Sequence, residues 1–215
     1  MEPKREVPAK GWVDLFNGKD FTGWKCIKTG EKPTEGWYVQ DGGILTINPN
    51  GPESAGDLIT EKEYGNFWLS VDFKLTVGAN SGIKYFIQPD LYGSVGCEYQ
   101  VLDDDVHPDA KLGTAGNRTA SSLYDLITSS KPEGLINKYD WNTAWIIVEG
   151  DHVEHWLNGV RVVEYTRNTP AFKYLVLRSK FASKEEFGTF EKGHILLQDH
   201  HDNVFYKNIK ILELN

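Results

Sequence analysis

Phe67-Trp68-Leu69-Ser70-Val71-Asp72-Phe73-Lys74-Leu75 alternates without a break: Phe67, Leu69, Val71, Phe73 and Leu75 fall on one side of an extended chain, and Trp68, Ser70, Asp72 and Lys74 on the other. A period of two is the signature of a strand that turns one face to a core. The same alternation recurs on both sides of this stretch, between turn signals. Trp37 to Gln40 and Ile44 to Ile47 flank Asp41-Gly42-Gly43, while Val153 to Leu157 and Val160 to Tyr165 flank Asn158-Gly159, the dipeptide of a type I′ hairpin. Further strands are predicted over 82–88, 97–102, 143–149, 171–178, 193–199 and 203–212. About ten strands, with no long segment of period 3.6, point to an all-β protein built as a two-sheet antiparallel sandwich.

A chain of 215 residues is enough for one well-cored β domain and short for two. Residues 11–215 are read as that domain, behind a flexible N-terminal segment of residues 1–10. Hydrophobic residues at 40% and charged residues at 25% are those of a globular protein. A net charge of −8 without a basic stripe argues against a nucleic-acid partner. The longest apolar runs, such as Trp145-Ile146-Ile147-Val148, have strand length, far below the roughly 18 residues that span a bilayer. Met1-Glu2-Pro3-Lys4-Arg5-Glu6 is charged and lacks the apolar stretch of a secretory signal, so the chain is expected either to be cytoplasmic or to have had its signal removed. Cys26 and Cys97 are too few for a disulfide framework and read as buried free thiols. Seven Trp and ten Tyr supply rigid core side chains, with some left over to stack on sugar rings.

The chemistry concentrates in Cys97-Glu98-Tyr99-Gln100-Val101-Leu102-Asp103-Asp104-Asp105-Val106-His107-Pro108-Asp109, a strand that runs into an acidic loop holding one His. Glu98 and Gln100 share one strand face; Cys97, Tyr99 and Val101 share the other. A polar row that leads into carboxylates and an imidazole suits a hard-cation or acid/base cluster, although a solvated sheet face would read the same way. The long stretch from Asp103 to Trp141, rich in Asp, Gly, Ser and Asn, is expected to supply half of any active site. Jelly-roll glucanases carry Glu-x-Asp-x-x-Glu on a comparable strand. Here those positions are Glu98, Gln100 and Asp103, a pattern that does not place the two carboxyl groups about 5 to 5.5 Å apart for retaining hydrolysis. A different sugar chemistry is therefore expected.

Seven blocks in order resemble the 3-keto-disaccharide hydrolase domain family along nearly the whole chain. They are Gly11-Trp12-Val13-Asp14-Leu15-Phe16-Asn17-Gly18-Lys19-Asp20 with Gly23-Trp24, Tyr64-Gly65-Asn66-Phe67, Asn80-Ser81-Gly82-Ile83, Glu98-Tyr99-Gln100-Val101-Leu102-Asp103, Leu123-Tyr124-Asp125-Leu126, Val153-Glu154-His155-Trp156-Leu157-Asn158-Gly159 and Ile195-Leu196-Leu197-Gln198-Asp199-His200. The resemblance implies a jelly roll of the concanavalin A-like lectin/glucanase type, a periplasmic or extracellular location in glycan-degrading bacteria, and action on glycosides oxidised at the sugar C3. It breaks at Lys84, where an aromatic is expected, and at His201, where Gly is usual.

A ketone at C3 acidifies the C2 hydrogen, so one general base and one enolate stabiliser replace the acid pair of a glucanase. The stabiliser is a divalent metal ion or a cationic side chain; no organic cofactor is expected. Glu98 and His107 are the candidate catalytic residues. Gln100, Arg118, Tyr124, Gln198 and Lys207 are the candidate substrate contacts, with Glu98 the candidate partner of Lys207, and Glu98, His107 and His200 are the candidate metal ligands. His155, between Val153 and Leu157, reads as a core histidine rather than a ligand. The partner expected is an oligosaccharide or glycoside, and the oligomeric state is left open. Two other classes stay in play: a non-catalytic glycan-binding module of a polysaccharide-utilisation system, and a structural domain that binds no sugar.

Overall fold

The computed structural model describes residues 5–51 and 56–214, so residues 1–4 of the segment expected to be flexible lie outside it. Among the described residues the strands are β1 (Val13–Asp14), β2 (Trp24–Cys26), β3 (Trp37–Gln40), β4 (Ile44–Ile47), β5 (Leu58–Tyr64), β6 (Phe67–Leu75), β7 (Asn80–Ile87), β8 (Cys97–Leu102), β9 (Asn142–Glu149), β10 (His152–Leu157), β11 (Val160–Thr166), β12 (Gly193–Leu197) and β13 (Val204–Glu213). Two short helices, α1 (Pro89–Tyr92) and α2 (Pro170–Leu177), and a 3-10 helix at Pro108–Lys111 complete the set.

The strands form two antiparallel sheets. The larger runs β11-β10-β9-β6-β13-β4-β3, with β1 added alongside β13, and the smaller runs β2-β5-β12-β7-β8. The apolar row of β6 lies between them, against Ile83, Tyr85, Tyr99, Val101, Ile195 and Leu197 of the smaller sheet, in one continuous core. Each large apolar side chain buried there contributes about 1.5–3 kcal/mol over its exposed state. Trp68, on the other face of β6, is buried as well. It packs with Ile147 and Trp156, and Trp12 lies beside them with its indole N–H donated to the Pro8 carbonyl at 2.8 Å. Arg5, within the segment expected to be flexible, pairs with Glu149 at 2.6 Å.

Both hairpins form as their turn residues specify. Asn158 and Gly159 take φ of +48° and +80°, the left-handed pair a type I′ turn needs.

The strand expected over 171–178 is instead the helix α2. Thr169 caps it by accepting the Phe172 amide at 3.1 Å, and Pro170 takes the first turn, where its missing N–H costs nothing. Phe172, Tyr174 and Val176 mimic a strand face, but the spacing that matters is four: Phe172 and Val176 are buried while Tyr174 is exposed. No helix is long and apolar enough to cross a membrane among the described residues.

Candidate active site

The alternation of β8 sorts its side chains into two worlds. Cys97, Tyr99 and Val101 enter the core; Glu98 and Gln100 stand on the outer face of the smaller sheet, where they line a cavity of about 350 Å3. Asn80 and Lys84 from β7 and Gln198, just after β12, share that sheet face. Loops add further lining, among it His107 and Asp109 from the acidic loop, Tyr124, Lys180 and Phe181 after α2, and His200.

The opening of the long loop after β8 is ordered because it closes the free edge of that strand. Ser121 donates its amide to the Gln100 carbonyl at 2.7 Å, Gln100 donates to Ser122 at 3.2 Å, and Tyr124 donates to Glu98 at 3.0 Å. The edge is thus paired without a regular strand. Asp103, Asp104 and Asp105 serve the loop rather than the cavity. Asp103 accepts the Gly78 amide at 2.8 Å, Asp104 accepts the Ala120 amide at 2.7 Å and pairs with Lys131, and Asp105 pairs with Lys138.

Glu98 is 6% exposed and sits opposite Lys84 in the β7–β8 register; its Oε2 lies 3.9 Å from the Lys84 ammonium, which also donates to the Ser94 carbonyl at 3.3 Å. Burial raises the Glu98 carboxyl above the usual carboxylate range, against the opposing pull of Lys84 and Lys180. Gly82, the next outward-facing position on β7, has no side chain, and Glu98 fills the space. Gln100 is 1% exposed. Its amide nitrogen meets Asn80 Oδ1 at 3.4 Å, while its Oε1 has no partner among the described residues. A buried carbonyl oxygen left unpaired beside a cavity is an acceptor waiting for a ligand hydroxyl.

Arg118 does not line the cavity; it braces it. Its Nε donates to Asp125 Oδ1 at 2.7 Å and its Nη1 to Asp109 Oδ1 at 3.0 Å, while Asp125 Oδ2 accepts the Lys180 amide at 2.8 Å. Tyr124 lines the cavity beneath Lys180, whose ammonium lies 4.1 Å from the ring centroid.

Lys207 is not in the cavity and is not the partner of Glu98. β13 shifts register between Lys207 and Lys210, with Asn208 at φ +50°, and Lys207 lies 3.9 Å over the Trp141 ring. The cations near Glu98 are Lys84 and Lys180. Lys84 stood out in the sequence only as a departure from the family pattern, and Lys180 carried no signal at all.

Donor atoms of His107, His200 and Asp202 lie within 4.8 Å of one another, a group that takes in Asp202 and leaves out Glu98. Two imidazoles and one carboxylate suit a divalent transition ion with coordination positions left open. Orienting contacts are present: Asp202 Oδ2 accepts the Asn80 amide at 2.9 Å, and His107 Nδ1 accepts the Asp109 amide at 3.1 Å.

His155 is a core residue. Its Nδ1 lies 3.2 Å from the Ser121 carbonyl, which can only accept, so the ring proton sits on Nδ1 and Nε2 accepts the Tyr85 hydroxyl at 2.8 Å. Tyr165 in turn donates to Tyr85 at 2.7 Å. Burial pushes the imidazole down to about 4.

The sequence profile of the 3-keto-alpha-glucoside-1,2-lyase-like domain matches residues 11–212. A Bacteroides thetaiotaomicron protein named 3-keto-disaccharide hydrolase is 35% identical, over 97% of this chain and 80% of its own length. A crystal structure of a candidate glycosyl hydrolase from Parabacteroides distasonis superposes with a TM-score of 0.81 at 30% identity, covering 95% of this chain and 94% of that one. A carbohydrate-binding module of Bacillus subtilis superposes at a TM-score of 0.51 and 14% identity over 87% of this chain and 94% of that one, a likeness of fold alone.

Proposed function

The chain belongs to the 3-keto-alpha-glucoside-1,2-lyase-like domain family, and from that premise we propose that it is a carbohydrate-active enzyme that cleaves the glycosidic bond of 3-keto-glycosides. The observation that carries the reading is Glu98: one buried carboxylate, its pKa raised by burial against the pull of Lys84 and Lys180, on the wall of a polar cavity of about 350 Å3 that can hold a sugar. Asp109, the other carboxylate on the cavity wall, is tied to Arg118 at 3.0 Å.

Glu98 takes the C2 hydrogen as a proton. The electrons of the C2–H bond form the enolate of the C3 ketone; they then return as the C1=C2 double bond while the C1–O bond to the aglycone breaks. Addition of water to that double bond, oxygen to C1 and proton to C2, gives the free 3-keto sugar; release before hydration makes the enzyme a lyase. Lys84 keeps Glu98 ionised and in place, and Gln100 Oε1 and Gln198 hold sugar hydroxyls. A divalent ion held by His107, His200 and Asp202 would supply polarisation of the ketone oxygen. A periplasmic or extracellular setting, where glycosides are met before uptake, belongs to the same reading.

The test compares 3-keto-trehalose with trehalose. Aglycone release from the ketone alone supports the proposal; release from both at similar rates points to an ordinary glycosidase, and binding without release points to a glycan-binding module.

A further inference from the structure

Expulsion of an aglycone from C1 leaves an alkoxide unless a proton reaches its oxygen. The base that removed the C2 hydrogen is poorly placed to supply it, since it sits at the neighbouring carbon. Among the other cavity residues, most donors are committed. Lys84 is held between the Ser94 carbonyl and Glu98. The Tyr124 hydroxyl is a weak acid here, because burial and the Asp109 carboxylate both favour its protonated form. His107 spends Nδ1 on the Asp109 amide and belongs to the metal-binding group.

Lys180 is different. Its backbone is fixed by the Asp125 carboxylate, and its ammonium lies over the faces of Tyr124 at 4.1 Å and Phe181 at 5.3 Å. No carboxylate or carbonyl oxygen lies within hydrogen-bond distance of that ammonium among the described residues, although the side chain lines the cavity. A cation carried on two aromatic faces, with its N–H groups unspent, is placed to meet an oxygen that arrives with the substrate.

Resting on the reading of the site given above, we propose that Lys180 is the general acid that protonates the departing aglycone oxygen. One N–H bond of the ammonium breaks as the C1–O bond breaks; the aglycone leaves as the neutral alcohol and Lys180 is left as the amine, to be reprotonated by solvent. Burial lowers the Lys180 pKa, which makes the ammonium a better donor.

The experiment measures kcat on two substrates, 3-keto-trehalose, whose leaving group is glucose departing through its anomeric oxygen, and 4-nitrophenyl 3-keto-glucoside, whose leaving group needs no proton. Lys180→Gln is expected to slow the first by about 100-fold or more and the second by less than about tenfold. Lys180→Arg keeps the charge and the aromatic contacts but cannot give up a proton at neutral pH, so it is expected to be as impaired as Lys180→Gln on 3-keto-trehalose. Equal losses on both substrates, or wild-type rates for Lys180→Arg, overturn the assignment while leaving the elimination intact. Absence of turnover of either substrate by the unmodified protein overturns the assignment together with the reading on which it rests.

Discussion

Gly82 leaves the space that Glu98 occupies: a Cβ built on Gly82 would overlap the Glu98 Oε1 and fall 2.9 Å from its carboxyl carbon. The two residues lie on neighbouring strands, with Gly82 opposite Gln100 and Lys84 opposite Glu98, so the absence of one side chain sets the position of another.

Gly82→Ala is therefore expected to displace the carboxylate and cost activity out of proportion to stability. Overpacking of this kind costs about 1–3 kcal/mol, whereas a base moved by an ångström loses on the order of 100-fold in rate. Urea titration and kcat/KM measured on the same preparation separate the two effects; wild-type kcat/KM in a folded variant would contradict the relationship.

Lys84→Met removes the strongest influence holding Glu98 ionised against its burial. Proton abstraction by Glu98, as proposed, needs the carboxylate, so activity is expected above the Glu98 pKa and is expected to fall as pH drops through it. Without Lys84 that pKa rises further, and the acid limb of the kcat/KM profile is expected to move to higher pH. An unmoved limb, or one displaced to lower pH, would show that Glu98 is not the group that titrates.

His155 makes a prediction about folding rather than catalysis. Its folded pKa of about 4 lies below the ordinary 6.5, so the unfolded chain binds the extra proton first. The stability of the neutral ring is fully present above pH 6.5 and is lost as pH falls toward 4, a change on the order of 3 kcal/mol. His155→Gln is expected to flatten the dependence of unfolding free energy on pH across that window, read from urea titrations at several pH values. A slope equal to that of the parent would assign the effect elsewhere.

Asp202→Asn tests the candidate metal group of His107, His200 and Asp202 without recourse to turnover. Isothermal titration of the metal-free protein with Co2+ is expected to show one site whose affinity falls at least about tenfold in the variant. Equal affinities in both proteins would remove Asp202 from the ligand set.

Much of this was legible in the sequence because strands advertise themselves locally. The alternation of β6, the Asn158-Gly159 turn and the two faces of β8 depend on neighbours in the chain, and each formed as read. Helix α2 is hidden because Phe172, Tyr174 and Val176 also fit a period of two; its local signal is the Thr169-Pro170 start. Glu98, Gln100, His107, Tyr124, Gln198 and His200 do converge on one cavity. What escaped the sequence is what pairing and looping decide. Lys84 reaches Glu98 only through strand register, Lys180 arrives from a loop some 80 residues away in sequence, and Lys207 is turned aside by a bulge. Arg118 was expected to touch substrate and instead ties Asp109 to Asp125, a role visible only once the loop is folded.

Elimination, as proposed, requires that the C2 hydrogen leave before the glycosidic bond breaks. Hydrolysis of 3-keto-trehalose in D2O, with the released 3-keto-glucose examined by mass spectrometry before spontaneous exchange sets in, tests it most directly. One deuterium at C2 is expected in the product of the wild-type enzyme, with loss of product formation in Glu98→Gln. Product that retains its original hydrogen at C2, together with an unchanged rate for substrate deuterated at C2, would mean direct displacement at C1 and would contradict the elimination.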